Sequence, residues 1–307
     1  MSVAISVLDP MQTAKAVEAI GVSKAHLSYP RMAVLSVLAG AYIGMGAQLY
    51  LLVTSNEDGS AASGPQKLLG GFAFSVGLVM IAMAGAELFT GNCLLLIAWL
   101  TGKIKLAEVL LDWMVVWIFN FVGSIAVAGL IYGTGINGYY HEDYTAMGKN
   151  LCKVAAAKAN EKEHEMFVRG IAANALVCLA VILAIASKSP SGKILGIAMP
   201  IATFVALGFD HCIANMTFFS LAVMVDCPLE DEGRYWLNLL LSTCGNTLGA
   251  SVLAFSYYFS YMRDNVEVQR VLSNHSLDKK KDAVDPQEDG SQKAGDPLRE
   301  ASAKLSV

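Results

Sequence analysis

The sequence predicts an all-α membrane protein, with six transmembrane helices in an inverted 3+3 repeat and helices two and five broken. Three observations carry this. The chain of 307 residues is 55% hydrophobic and only 16% charged, with positive mean hydropathy, outside the range of ordinary soluble domains. Six apolar stretches follow one another at about 32–54, 69–101, 107–133, 167–187, 194–225 and 235–262. A helix crosses hydrocarbon in roughly 20 residues, yet the second and fifth stretches are longer than 30 and polar residues interrupt each of them.

The first 29 residues hold no apolar core of secretory type, so no cleaved signal is expected and the first span must direct its own insertion. Leu8, Met11, Ala14, Val17, Ile20 and Val22 fall at helical spacing, which predicts an amphipathic helix lying at the membrane face as a packing or gating element. Residues 30–263 then form the six-span domain. Lysines at 103, 105, 188 and 193 mark two connections as cytoplasmic. The connections holding Glu57 and Asp58, and Asp226, Glu230, Asp231 and Glu232, face outside. Both termini are then cytoplasmic, and the plasma membrane is the expected location. Residues 264–307 are polar and aperiodic and are expected to be disordered. Six cysteines without a C-x-x-C pair, four of them in or beside apolar stretches, indicate no disulfide framework. The net charge of −4 lies largely in the two ends and a few loops, so its placement says more about partners than its total, and nucleic acid is not an expected partner.

The two broken stretches resemble each other. Glu87-Leu-Phe-Thr-Gly-Asn92 and Asp210-His-Cys-Ile-Ala-Asn215 each put an acid five residues before an asparagine. Downstream, Asn120-Phe-Val-Gly-Ser and Asn246-Thr-Leu-Gly-Ala repeat N-x-x-G-small. Duplication of three spans inverts the second copy, an architecture found mainly in transporters and channels. Unpaired backbone at a helix break is tolerated only against protein or along a wet cavity, so two facing breaks build a site near the midplane.

His211 lies in the fifth break, where an intramembrane ionisable group is a functional candidate by default and a buried structural histidine is the plainer alternative. Charging it at that depth is costly, so it is expected neutral, donating one hydrogen bond and accepting another. Thr90, in the opposite break, either bonds the solute or the far nitrogen of His211, or caps the half-helix beginning near Gly91. Glu87 and Asp210 are expected to bond unpaired loop amides, since a carboxylate beside an anion path repels the anion. Asn92, Asn120, Asn174, Asn215 and Asn246 are expected to satisfy loose backbone groups. Lys162, just before the fourth span, is either a cationic attractor at a vestibule mouth or a solvated loop lysine. Phe74, Phe89 and Phe204 either pack or form hydrophobic constrictions. No metal ligands converge, so neither a metal nor a cofactor is expected, and a membrane-embedded enzyme is disfavoured.

Taken together, AELFTGN, GFDHCIANM, the NALVCLAV run and CGNTLGA resemble the formate/nitrite transporter family, over about residues 10–262. The resemblance implies an aquaporin-like protomer assembled as a homopentamer, each copy with its own pore. It implies that Thr90 lies in the loop of span two and that His211 is the central pore histidine. Phe74, Leu78 and Phe204 match the two constrictions, with Leu88 and Val177 near the inner one, and Lys162 matches the lysine of the outer vestibule. Arg169 stands where the family often has glutamate, and Asp210 is an aspartate where many members have glutamate. The implied activity is passage of a small monocarboxylate or anion of the formate, lactate or nitrite type, coupled to a proton or crossing as the neutral acid. The alternative is an ungated anion channel for nitrite or hydrosulfide.

Overall fold

The computed structural model describes residues 7–139, 144–228, 231 and 233–264. The tail expected to be disordered lies outside them, apart from residue 264, as do Glu230 and Glu232. Helix α1 (Pro10–Ala25) is followed by α2 (Tyr29–Thr54), α3 (Gly64–Phe74), α4 (Val76–Ala84), α5 (Phe89–Asn92), α6 (Leu95–Leu100) and α7 (Leu106–Gly133). The second half holds α8 (Ala146–Ala159), α9 (Glu163–Ala186), α10 (Pro190–Ala206), α11 (Cys212–Met224) and α12 (Gly233–Tyr257), whose last turn widens to a π-helix at Tyr258–Met262. Among the described residues five segments are long and apolar enough to cross a membrane: α2, α3 with α4, α7, α9, and α12 with its π turn. The sixth crossing is made by α10 and α11 in two pieces of 17 and 13 residues. Large apolar side chains such as Leu130, Leu195 and Leu240 point outward, at 74%, 66% and 61% exposure, as lipid or a neighbouring subunit requires.

Both interruptions start the same way. Gly85 ends α4 at φ 82° and Gly208 follows α10 at φ 74°, left-handed conformations that an L side chain resists. In each case an acid stands two residues on, Glu87 and Asp210, before a new helix begins at Phe89 or Cys212. The N-x-x-G motif explains what receives these helices. Asn120 and Asn246 lie at mid-length in α7 and α12, and three residues on, Gly123 and Gly249 let those helices press against α2 and α9. A Cβ at Gly123 would land on the Val37 carbonyl oxygen, and one at Gly249 on that of Ile171.

Helix α1 starts with a capping box between Asp9 and Gln12 and Pro10 in its first turn. Its buried stripe is Thr13, Ala14, Val17 and Gly21, whereas Met11 and Ile20 are exposed. The apolar stripe read from the sequence is therefore rotated: small residues, rather than the largest apolar ones, face the bundle where α1 lies close against α6, as Gly21 against Leu95 and Ala98 illustrates. Helix α8 caps the opposite face, and there the structure corrects the cysteine reading. Cys152 on α8 and Cys227 after α11 form a disulfide across 75 residues of sequence. Spacing alone gave no sign of it, because only the fold brings the two cysteines together.

Candidate functional site

The half-helices α5 and α11 point their N-termini at the centre of the bundle, and each leaves backbone donors that need partners. Asn120 and Asn246 supply them in the same way. The Phe89 N–H donates to Asn120 Oδ1 and the Cys212 N–H to Asn246 Oδ1, both at 2.9 Å. Each amide then donates twice from Nδ2: Asn120 to the carbonyls of Ser36 and Glu87, Asn246 to those of Gly170 and Asp210. Asn174 joins the halves by donating to the Thr90 and Asn246 carbonyls. These three asparagines satisfy loose backbone, as the sequence suggests.

Glu87, Asp210, Asn92 and Asn215 do otherwise. They were expected to hold loop backbone, but their side chains bond one another and a lysine. Lys24 Nζ donates to Glu87 Oε2 at 2.7 Å and to Asn92 Oδ1 at 2.9 Å, and Asn92 Nδ2 donates to Glu87 and Asp112. Across the bundle, Lys158 Nζ donates to Asp210 Oδ1 at 2.7 Å, and Asn215 Nδ2 donates to Asp210 and Asn238. The physical reason is charge. A carboxylate buried this deeply requires a cation and dipolar donors together, and the asparagine amides have already answered the backbone.

Lys24, Lys158, Asp112 and Asn238 escaped the sequence reading. A signal existed for the lysines: each is the penultimate residue of an amphipathic helix and is followed by alanine, Lys24-Ala25 ending α1 and Lys158-Ala159 ending α8. The repeat therefore covers four elements per half, an interfacial helix and three spans, rather than spans alone.

At the centre, His211 is itself the N-cap of α11. Its Nδ1 accepts the Ala214 N–H at 3.1 Å, and its Nε2 lies 3.0 Å from Thr90 Oγ1. A nitrogen that accepts an N–H carries no proton, so the ring hydrogen sits on Nε2 and is donated to the Thr90 oxygen. The threonine hydroxyl hydrogen is then free to turn toward a third group. Thr90 makes no capping bond; Leu88 is the N-cap of α5. His211 and Thr90 are both buried, at 2% and 0% exposure. Phe204 stacks on the imidazole with centroids 5.8 Å apart, and Phe74 meets Phe204 edge to face at 5.9 Å.

Two cavities approach this pair. One of about 590 Å³ opens beside α1 and is lined by Lys24, Leu78, Glu87, Leu88 and Asn92 among others. A smaller one of about 40 Å³, on the α8 side, is lined by Phe74, Lys158, Phe204, His211 and Asn215 among others. The apolar positions fall as two groups, Phe74 with Phe204 and Leu78 with Leu88. Val177 is buried but lines neither cavity; Val181, one turn on, lines the larger. Lys162 is the exposed N-cap of α9 and lines neither. Lys158, four residues earlier, lines the smaller cavity instead. Among the described residues no cluster of His, Cys, Asp or Glu has the makings of a metal site.

Known proteins resemble this chain in sequence and fold. A family model described as formate/nitrite transporter matches residues 11–260. The chain is 36% identical over 270 residues to a probable formate transporter of Methanothermobacter thermautotrophicus, covering 83% of this chain and 97% of that one. It is 30% identical over 277 residues to the formate channel FocA of Escherichia coli (strain K12), covering 83% and 95%. Among solved structures, an FNT family ion channel superposes with a TM-score of 0.72 at 30% identity, covering 81% of this chain and 98% of that one. A pentameric formate channel with formate bound superposes at 0.66 and 31%, covering 75% and 96%. The broken helices, the duplicated asparagine clamps and a match of this extent lead to one conclusion: the chain belongs to the formate/nitrite transporter family, a family of transporters rather than enzymes.

Proposed function

We propose that this protein carries small monovalent anions of the formate, lactate or nitrite type through a pore within each protomer, and that the solute crosses the centre as its neutral acid. The observation that carries the reading is the Thr90–His211 hydrogen bond. It leaves a neutral imidazole and one free hydroxyl hydrogen between two apolar groups, Phe74 with Phe204 and Leu78 with Leu88. Such a centre offers an oxygen-bearing solute hydrogen bonds but offers an anion no full counter-charge. A carboxylate shedding water between the aromatic rings gains proton affinity, and the neutral acid is the species whose passage there costs least. The proton then travels with the solute, and direction follows the two gradients combined.

Lys158 and Lys24 take the role of anion attractors that the sequence reading gave to Lys162. Each lines one cavity, and each is paired with a carboxylate that prevents it from trapping the solute. Positive-inside lysines support cytoplasmic termini, with the α8 face outside. The Cys152–Cys227 disulfide on that face agrees, because disulfides persist in oxidising surroundings such as the cell exterior. Likeness to the pentameric formate channel supports a homopentamer, and the apolar spans fit a location in the plasma membrane.

Uptake of labelled formate and lactate into vesicles at two pH values, with and without a proton ionophore, tests the reading. Flux that rises at acid pH and responds to the ionophore is expected. Flux indifferent to both favours the open anion channel, in which His211 is cationic and has given up the Ala214 N–H. A competition panel with nitrite, acetate and hydrosulfide identifies the preferred solute.

A further inference from the structure

The turn between α8 and α9 buries a second carboxyl against the one already described. Glu161 is 8% exposed, and Asp210 is fully buried. Their carboxyl groups lie within hydrogen-bonding reach of each other. One oxygen of each is accounted for: Glu161 Oε1 accepts from Arg169, and Asp210 Oδ1 accepts from Lys158 and Asn215. The other two, Glu161 Oε2 and Asp210 Oδ2, are buried with no donor among the described residues. Two ionised carboxylates facing each other in this way would be costly. Arg234 holds the turn in place from α12, donating to the Ala159 and Glu161 carbonyls and to Glu163. The other charged groups facing the pair are Lys158 from α8 and Arg169 with Glu165 from α9.

We propose that Glu161 and Asp210 form a proton-binding site at the α8-side mouth, with the hydrogen on Glu161 Oε2 donated to Asp210 Oδ2. One proton satisfies both orphaned oxygens. It belongs on Glu161 because Asp210 already accepts from a lysine and an amide, which favour its ionised form. Burial, then the facing Asp210 carboxylate, push Glu161 up to about 8, with Lys158 and Arg169 opposing. The site therefore stays protonated at neutral pH and empties as the pH on that side rises past this value. Emptying adds a negative charge beside Asp210, which precedes His211 and pairs with Lys158, and weakens attraction of an anion. This last consequence rests on the transport reading above; the proton site does not.

Infrared difference spectra of the full-length protein in liposomes, recorded between pH 6 and pH 9, test the site directly. The expected result is a protonated-carboxyl band that vanishes as pH passes about 8, shifts on isotopic labelling of glutamate and is missing in Glu161→Gln. Absence of a glutamate-assigned band in the unmodified protein overturns the proposal, whether or not the variant folds. For the consequence, initial formate uptake is compared at external pH 7 and pH 9. The ratio of Glu161→Gln to unmodified flux should rise roughly twofold, the effect of one charge at about 10 Å through water-like surroundings. A flat ratio overturns the link from the proton to the mouth. Failure of the unmodified protein to carry formate would count against the transport reading and leave the infrared result intact.

Discussion

The two breaks are built alike and equipped differently. Each begins at a left-handed glycine, turns past an acid paired with the last lysine of an interfacial helix, and starts a new helix on an asparagine clamp. Aligned through those acids, Glu87 and Asp210, the next residues are Leu88 against His211 and Thr90 against Ile213. Scaffold is duplicated; chemistry is not. Inverted symmetry supplies two half-helices aimed at one point, and a single polar residue from each copy, taken from different positions, suffices to equip that point. A matched pair of histidines would leave two rings contending for one hydroxyl.

The largest effect is expected where the halves differ most. His211→Phe keeps a flat ring under Phe204 but removes the donor to Thr90 and the acceptor for Ala214, and selective formate flux should fall roughly a hundredfold in vesicle uptake. Moving the histidine by combining His211→Leu with Leu88→His sharpens the point. Recovery of flux in that double variant would mean that either half can host the ring, and the asymmetry would be an accident of history.

Next come the positions where the halves agree. Asn120→Ala and Asn246→Ala each orphan one N–H and two carbonyls, a loss of about 3 kcal/mol or more. The two should lower thermal stability in detergent by closely similar amounts. A disparity above about 1.5 kcal/mol would mean that the clamps are equal in geometry only.

How far the sequence could be read follows from the same division. The acid–asparagine spacing and N-x-x-G are short-range patterns, so both breaks and the inverted repeat were legible from Glu87, Asn92, Asp210, Asn215, Asn120 and Asn246. His211 and Thr90 were legible because polar residues at membrane depth are conspicuous. Partners across 63 or 52 residues of chain were not, so Lys24 and Lys158 were missed. Lys162 drew attention by its place before a span, but whether a loop lysine lines a cavity depends on the fold of its turn, and Lys162 lines neither of the two cavities. Cys152 and Cys227 meet only after α8 folds across the mouth.

That disulfide gives the third expectation, because it tethers α8 while α1, its counterpart, carries no cysteine. Removing a cross-link over this length of chain costs about 2–4 kcal/mol. Reductant should lower the thermal midpoint of the unmodified protein and leave Cys152→Ser with Cys227→Ser unmoved. A midpoint indifferent to reductant would show that packing, not the cross-link, holds α8, which would bring the two interfacial helices back to equality.

The smallest effect is expected at Asp112, where the terminal half carries an acid and the other half carries Asn238. Asn92 Nδ2 donates to Asp112 Oδ1 as Asn215 Nδ2 donates to Asn238 Oδ1. Asn238 then uses its own amide to reach the Lys158 carbonyl, whereas Asp112 Oδ2 is buried without a partner. Asp112→Asn preserves the acceptor, removes a carboxylate from beside Glu87 and puts a donor in place of the unpartnered Oδ2. Stability should change by less than about 1 kcal/mol and tend upward, read as the thermal midpoint in detergent. A fall of about 2 kcal/mol or more would mean that Lys24 depends on two carboxylates where Lys158 depends on Asp210 alone. The two halves would then balance their charges by different counts, and the likeness of the breaks would stop at hydrogen-bond geometry.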